Sequence, residues 1–137
     1  MYISESKVRV RYGETDQMGY CYYGNYAQFF EIGRVEALRN LGVSYKSLED
    51  KGIMLPVLDF KIKYLKPAFY DDELTVRTMI SQLPTAKFHF EYETYNQSGE
   101  KINFGETTLV FISKQTMKPT LPPQEVIEKL TPYLNHK

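Results

Sequence analysis

Cysteine is nearly absent: Cys21 is the only one among 137 residues, which excludes an internal disulfide and any cysteine-built metal cluster. Two histidines, His89 and His136, supply a His-ligated metal site poorly, so no metal is expected. Tryptophan is missing altogether. Neither charge is in excess, because 17 Lys and Arg balance 17 Asp and Glu. A dedicated nucleic-acid binder would carry a basic footprint instead, although a local basic patch for one small anionic ligand stays open. No run approaches the roughly 18 apolar residues of a membrane-crossing helix. The opening MYISESKVRV has neither the charged start nor the apolar stretch of a secretion signal. A cytoplasmic protein in a reducing compartment is expected, with no membrane span and no nucleic-acid partner.

What is present reads as one ordinary domain over residues 1–137, with 42% hydrophobic and 25% charged residues, long enough to bury its own core. Twelve Tyr and eight Phe suggest an aromatic-rich core, interface or acyl pocket. Along residues 7–14, Val8, Val10 and Tyr12 alternate with Arg9 and Arg11, the period of a half-buried strand. A Gly-containing loop follows. From Asn25, a plausible N-cap, Tyr26, Phe30, Ala37, Leu38 and Leu41 fall on one side at helical spacing, with Ala27 at the edge, and Gly42 ends the helix. Gly33 inside it points to close backbone contact with a neighbouring element. Residues 44–51 suit a short helical turn.

From residue 53 onward the pattern is of strands: Leu58 to Tyr64, Leu74 to Ile80, Phe88 to Thr94, and residues 102–112 with Gly105 as a possible bulge. The segment Asn96-Gln97-Ser98-Gly99 reads as a hairpin, and residues 124–130 as a terminal helix. Strand, long helix, then four strands joined by short turns imply an α+β domain with an antiparallel sheet covered on one face by one helix. Met79, Leu109 and Phe111, placed on the other face, would then be available to a second subunit, so a homo-oligomer of two-fold symmetry is expected.

Asp16 is the residue placed best for chemistry. It follows a strand and precedes a helix start, where unpaired N–H groups and the positive end of the macrodipole gather. Such donors hold a carbonyl oxygen as it becomes an oxyanion, and a carboxylate beside them attacks the carbonyl carbon or activates a water that does. The plainer reading is a loop or capping aspartate. Glu31 and Arg34 are neighbours on the helix surface, and the angular position of Arg34 among Phe30, Leu38 and Leu41 calls for a partly buried charge with a partner. A structural ion pair near the site suits them better than catalysis. Cys21 lies in the same loop with no histidine near it to activate a thiol, and reads as a small buried residue.

Three stretches carry a family likeness: Val8 to Gly19 with Asp16, then Tyr22-Tyr23-Gly24-Asn25-Tyr26, then Phe30-Glu31 with Arg34. Tyr64-Leu65-Lys66-Pro67-Ala68-Phe69-Tyr70-Asp71-Asp72 supports them. The chain resembles, over residues 7–113, the hot-dog-fold acyl-CoA thioesterases of the 4-hydroxybenzoyl-CoA thioesterase and Tol–Pal-associated type. The resemblance implies a five-stranded antiparallel sheet wrapped around one long helix, and hydrolysis of an acyl-CoA thioester to the acid and free thiol. Asp16 matches the catalytic carboxylate. Tyr23 matches the position whose backbone N–H meets the thioester carbonyl. Many Tol–Pal-associated members have His there, and Tyr23 removes that acid/base because a phenol of pKa near 10 is a poor base at neutral pH. Gly24 and Asn25 fall among the substrate-binding positions. Glu14 stands where many members have Asp, and reads as a supporting or solvent-exposed residue.

By the same resemblance, Thr85 and Lys87, with Lys66 as a weaker candidate, would meet the coenzyme A phosphates. Coenzyme A is then part of the substrate, and no further cofactor is implied. The smallest active unit is a dimer with each site built from both subunits, assembling further into a tetramer. This thin basic set leaves room for an acyl carrier protein in place of coenzyme A. The same fold would also suit a hot-dog dehydratase, or a non-catalytic acyl-thioester-binding or scaffold protein.

Overall fold

The structure, a computed structural model, describes residues 1–134, and His136 lies outside them. In chain order the elements are β1 (Tyr2–Arg9), a 3-10 turn (Tyr12–Glu14), α1 (Asn25–Asn40), α2 (Tyr45–Asp50), β2 (Ile53–Met54), β3 (Val57–Tyr64), β4 (Glu73–Ile80), β5 (Lys87–Tyr95), β6 (Lys101–Val110), β7 (Ile112–Ser113), β8 (Lys118–Pro119) and α3 (Gln124–Leu134). Five strands form one antiparallel sheet in the order β1-β4-β5-β6-β3, with α1 along its inner face. This is the α+β hot-dog architecture.

Alternation explains the sheet. Leu74, Val76, Thr78 and Ile80 on β4, and Phe88, Phe90, Tyr92 and Thr94 on β5, are buried, while the residues between them are not. These rows meet the helix face that periodicity identifies: Tyr26, Phe30, Ala37, Leu38 and Leu41 are all buried, whereas Ala27 is exposed. Phe30 stacks on Tyr92 with ring centroids 4.2 Å apart, and the Tyr92 hydroxyl lies 2.6 Å from Thr107 Oγ1. Gly33 sits where the helix comes nearest the sheet: a Cβ there would stand 2.5 Å from Thr78 Oγ1 and 2.9 Å from Val76 Cγ1. Gly42 takes φ +90° just past the helix, and the Ser44 hydroxyl caps α2 by accepting from Ser47 N–H.

Several expectations are corrected. The first strand covers Tyr2–Arg9, and Tyr12, displaced onto the 3-10 turn, is 78% exposed. Gly24, not Asn25, occupies the N-cap of α1. Leu109 and Phe111 are core residues with no exposure, because the buried side of β6 runs through Asn103, Thr107 and Leu109. They are therefore not available to a second subunit, and of the three only Met79 is on the outer face. Gly105 is no bulge: it pairs in register with both Ile62 and Tyr92. A Cβ there would press on the Lys61 carbonyl and come 3.0 Å from the Phe30 ring, so this glycine admits the helix. The strands β2, β7 and β8 form a small second sheet whose two-residue elements are too short for periodicity to show.

The strand β3 stands at the sheet edge, and Val57, Leu58, Phe60 and Tyr64 are 39–58% exposed. No helix among the described residues is long and apolar enough to cross a membrane.

Candidate active site

The chain leaves β1 at Arg9, turns through the 3-10 segment, and reaches α1 by a loop pinned at both ends. Cys21 N–H donates to the Ala68 carbonyl at 2.7 Å. The Glu14 carbonyl accepts from both Tyr22 N–H and Asn25 Nδ2, each at 2.8 Å. Asn25 therefore fastens the loop to the helix start. Glu14 is buried rather than solvent-exposed, and its carboxylate accepts from Arg11 N–H at 2.7 Å and Arg11 Nη2 at 3.0 Å.

Asp16 builds the turn that carries it. Its Oδ1 accepts from Met18 N–H at 3.0 Å and Tyr20 N–H at 3.1 Å, and its carbonyl accepts from Gly19 N–H at the point where Gly19 takes φ +81°. Oδ2 makes no hydrogen bond among the described residues. Asp16 is therefore a turn-forming aspartate, the plainer of its two sequence readings, with one carboxylate oxygen to spare.

The start of α1 supplies donors. Asn25 N–H and Tyr26 N–H are engaged by the Tyr22 and Tyr23 carbonyls. Among the described residues the N–H groups of Tyr23 and Gly24 donate to nothing, which leaves them for a ligand oxygen at the positive end of the helix.

Asp16 and Tyr23 line one cavity of about 280 Å³, together with Met18, Tyr20, Cys21, Tyr26, Tyr64, Leu65, Lys66 and Pro67. Four tyrosines stand in its walls, and Tyr64 packs against Tyr23 and Tyr26 with centroids 6.2 and 5.8 Å apart. The sequence did not assign Tyr64, Tyr26 and Tyr20 to the site, although Tyr26 and Tyr64 stand in the stretches that carry the family likeness; for Tyr20 the signal was the tyrosine count. Burial pushes the Cys21 thiol up to about 11, so it is a protonated wall residue at neutral pH. Lys66 reaches the cavity, and its ammonium is paired with Glu100.

Other expected residues lie apart from this cavity. Arg34 is 5% exposed, and its Nε donates to the Tyr45 hydroxyl at 3.1 Å, whereas Glu31 stands 3.9 Å away and largely in solvent. The buried charge is therefore met by the hydroxyls of Tyr45, on α2, and Tyr92, on β5, and neither Glu31 nor Arg34 lines the cavity. Thr85 and Lys87 are exposed in the β4–β5 turn, held by a Thr85 N–H to Lys87 carbonyl bond of 3.0 Å. That turn follows Ile80, which pairs with Tyr2, while the Asp16 loop follows Arg9, which pairs with Glu73. The length of β4, roughly 25 Å at about 3.3 Å per residue, separates them within one chain.

The chain is similar to known thioesterases. Acyl-CoA thioesterase YbgC of Haemophilus influenzae is 32% identical over 120 residues, covering 87% of this chain and 88% of that protein. The 1,4-dihydroxy-2-naphthoyl-CoA hydrolase of Thermosynechococcus vestitus is 29% identical over 99 residues, covering 72% of this chain and 68% of that protein. Among solved structures, a DHNA-CoA thioesterase from Staphylococcus aureus superposes with a TM-score of 0.85 at 35% identity, covering 98% of this chain and 85% of that chain. The family model for the thioesterase-like superfamily matches residues 10–130, from just after β1 into the terminal helix. The chain belongs to the thioesterase-like superfamily, as a hot-dog-fold thioester hydrolase.

Proposed function

We propose that this thioesterase cleaves acyl-CoA esters in the cavity shared by Asp16 and the start of α1, and that it works as a two-fold dimer. The observation that carries the reading is one cavity lined both by Asp16, whose Oδ2 is unengaged, and by Tyr23, whose amide and that of Gly24, the next residue and not itself part of the lining, are unengaged. The thioester carbonyl oxygen lies on those amides, which gain strength as it becomes an oxyanion. Asp16 takes a proton from a water as the water oxygen bonds to the carbonyl carbon. The C–S bond then breaks, and the proton passes to the departing thiolate, giving acid and free thiol. In the nucleophilic variant, Oδ2 itself forms the C–O bond as the C–S bond breaks and the thiolate leaves; water then cleaves the anhydride, releasing the acid, returning the Asp16 carboxylate and supplying the proton that the thiolate takes up. Tyr23 contributes its backbone and its ring face, not its hydroxyl.

The free edge of β3 supports the dimer. Its inner side presents Leu58, Phe60 and Ile62, and its outer side Asp59, Lys61 and Lys63. Antiparallel pairing with a second copy about Phe60 sets Asp59 opposite Lys61 on both sides of the axis, whereas pairing about Lys61 sets Asp59 opposite Lys63 but Lys61 opposite its own copy, so the Phe60-centred register matches charges better. In either, the Lys87 end of one copy comes to the same side as the Asp16 cavity of the other, which lets Thr85 and Lys87 meet the nucleotide of a substrate bound across the junction.

Thiol release from aromatic, short and long acyl-CoA esters, run beside the same acyl groups on acyl carrier protein, tests the reading. Turnover with the CoA esters, and a KM raised by Lys87→Ala, is the expected result. A pure, dimeric wild-type protein that cleaves none of the CoA esters overturns it.

A further inference from the structure

Residues 14–22 form a miniature hairpin with Asp16 near its tip. Tyr22 N–H donates to the Glu14 carbonyl at 2.8 Å, Thr15 and Cys21 bridge as an antiparallel pair, and Asp16 N–H donates to the Tyr20 carbonyl at 2.8 Å. The second leg is also tied to the segment after β3, by Cys21 N–H to the Ala68 carbonyl and by a bridge between Tyr20 and Phe69. Asn25, the first residue of α1, reaches back to the base of this hairpin. Its Nδ2 donates at 2.8 Å to the same Glu14 oxygen that receives Tyr22 N–H, which uses both lone pairs of that carbonyl. Its own N–H donates to the Tyr22 carbonyl at 3.0 Å. Glu14, Tyr22 and Asn25 are thus the corners of a closed ring of hydrogen bonds. Asp16 leaves that ring just past the Glu14 corner, and the Tyr23 and Gly24 amides lie between the other two corners.

We infer that Asn25 is a positioning residue for the hydrolysis: its carboxamide fixes how far the Asp16 carboxylate stands from the Tyr23 and Gly24 amides. The inference rests on the thioesterase reading of this site and adds the group that holds its two halves in register. Asn25 is half-buried and does not line the cavity. It therefore acts through Asp16 and the amides and not by contact with the thioester, in place of the substrate-binding role that its position in the family likeness suggested. Without Nδ2, the Tyr22 bond still closes the hairpin. The start of α1 then follows the hairpin only through the backbone of the turn from Tyr22 to Asn25, in which Gly24 is the residue that resists reorientation least. The amides can tilt away from the carboxylate, and a misplacement of about 1 Å in a reacting pair costs on the order of 10²-fold in rate.

The test is a double-mutant cycle between Asn25 and Asp16, read in kcat and KM for one acyl-CoA ester that the wild type turns over. Asn25→Ala is expected to lower kcat about ten- to a hundred-fold while KM stays within about three-fold. In the Asp16→Asn background the base is already gone, so the same change costs less than about three-fold there. Single turnovers with enzyme in excess read these slow variants. Asn25→Asp keeps the shape, loses the donor and gains a charge that a helix start favours. Its kcat is expected to fall as far, which keeps the test open if Asn25→Ala does not fold. A raised KM with kcat unchanged marks a substrate contact and overturns the inference. An equal fold-loss with and without the Asp16 carboxylate, or wild-type kcat in both Asn25 variants, overturns it too. Each of these leaves the thioesterase reading standing, whereas wild-type protein that cleaves no ester overturns both.

Discussion

Replacing Asp16 by asparagine separates its two duties. Oδ1 now receives the Met18 and Tyr20 N–H groups at 3.0 and 3.1 Å, and an asparagine carbonyl oxygen of the same shape can occupy that place. The bonds lose their charge assistance, which roughly halves their strength. With a net contribution near 1 kcal/mol for an ordinary hydrogen bond, the half-exposed turn loses about 1–2 kcal/mol at most. The other position changes more, since Oδ2 becomes an NH2 group, which donates where the reaction needs an acceptor. Loss of a positioned base costs about 10²–10⁴ in rate. Asp16→Ala removes the turn acceptor as well, and is expected to match Asp16→Asn in lost kcat but to melt lower. The assay is thiol release at saturating acyl-CoA beside thermal unfolding of each variant. A folded Asp16→Asn enzyme that keeps more than a tenth of wild-type kcat refutes the chemistry. An Asp16→Ala protein as stable as the wild type refutes the account of the turn.

Gly33→Ala improves helix propensity by about 1 kcal/mol. The new methyl would sit 2.5 Å from Thr78 Oγ1 and 2.9 Å from Val76 Cγ1, both on stiff β-branched residues with no exposure. Overpacking dominates, and differential scanning calorimetry should show a melting temperature lower by about 3–8 °C; an unchanged or raised value contradicts the close approach. Cys21 ionises near 9.0 when unfolded and near 11 when buried. Between those values the unfolded chain releases a proton that the folded one keeps, so stability falls as pH rises through that window and is unaffected well below it. Denaturant midpoints at pH 7.5 and pH 10 should differ less in Cys21→Ala than in the wild type, and equal differences refute the assignment.

The sequence was most informative where one period holds over many residues. The buried face of α1 and the alternating β4 and β5 were readable because each side chain there has a single neighbour type, core or solvent. The Asp16 loop was readable from chemistry and family likeness together. Phase was lost on β6, where Asn103 and Thr107 are inward although polar and Phe104 is outward although apolar, so hydropathy named the wrong face. Arg34 was read correctly as a buried charge, but its partners Tyr45 and Tyr92 come from other elements, which spacing along one helix cannot show. The separation of Thr85 and Lys87 from Asp16 is likewise a property of strand order, visible only once β4 is seen to run between them.

Gly105 gives α1 its seat, since the Phe30 ring rests where a side chain would otherwise stand. The same rigid helix begins, a short way back along its axis, beside the unengaged amides to which we assign a substrate oxygen. How deeply a phenylalanine sinks into the sheet and how far those donors stand from the carboxylate are thus one mechanical quantity, and a methyl group added in the middle of the sheet would detune the chemistry at its rim.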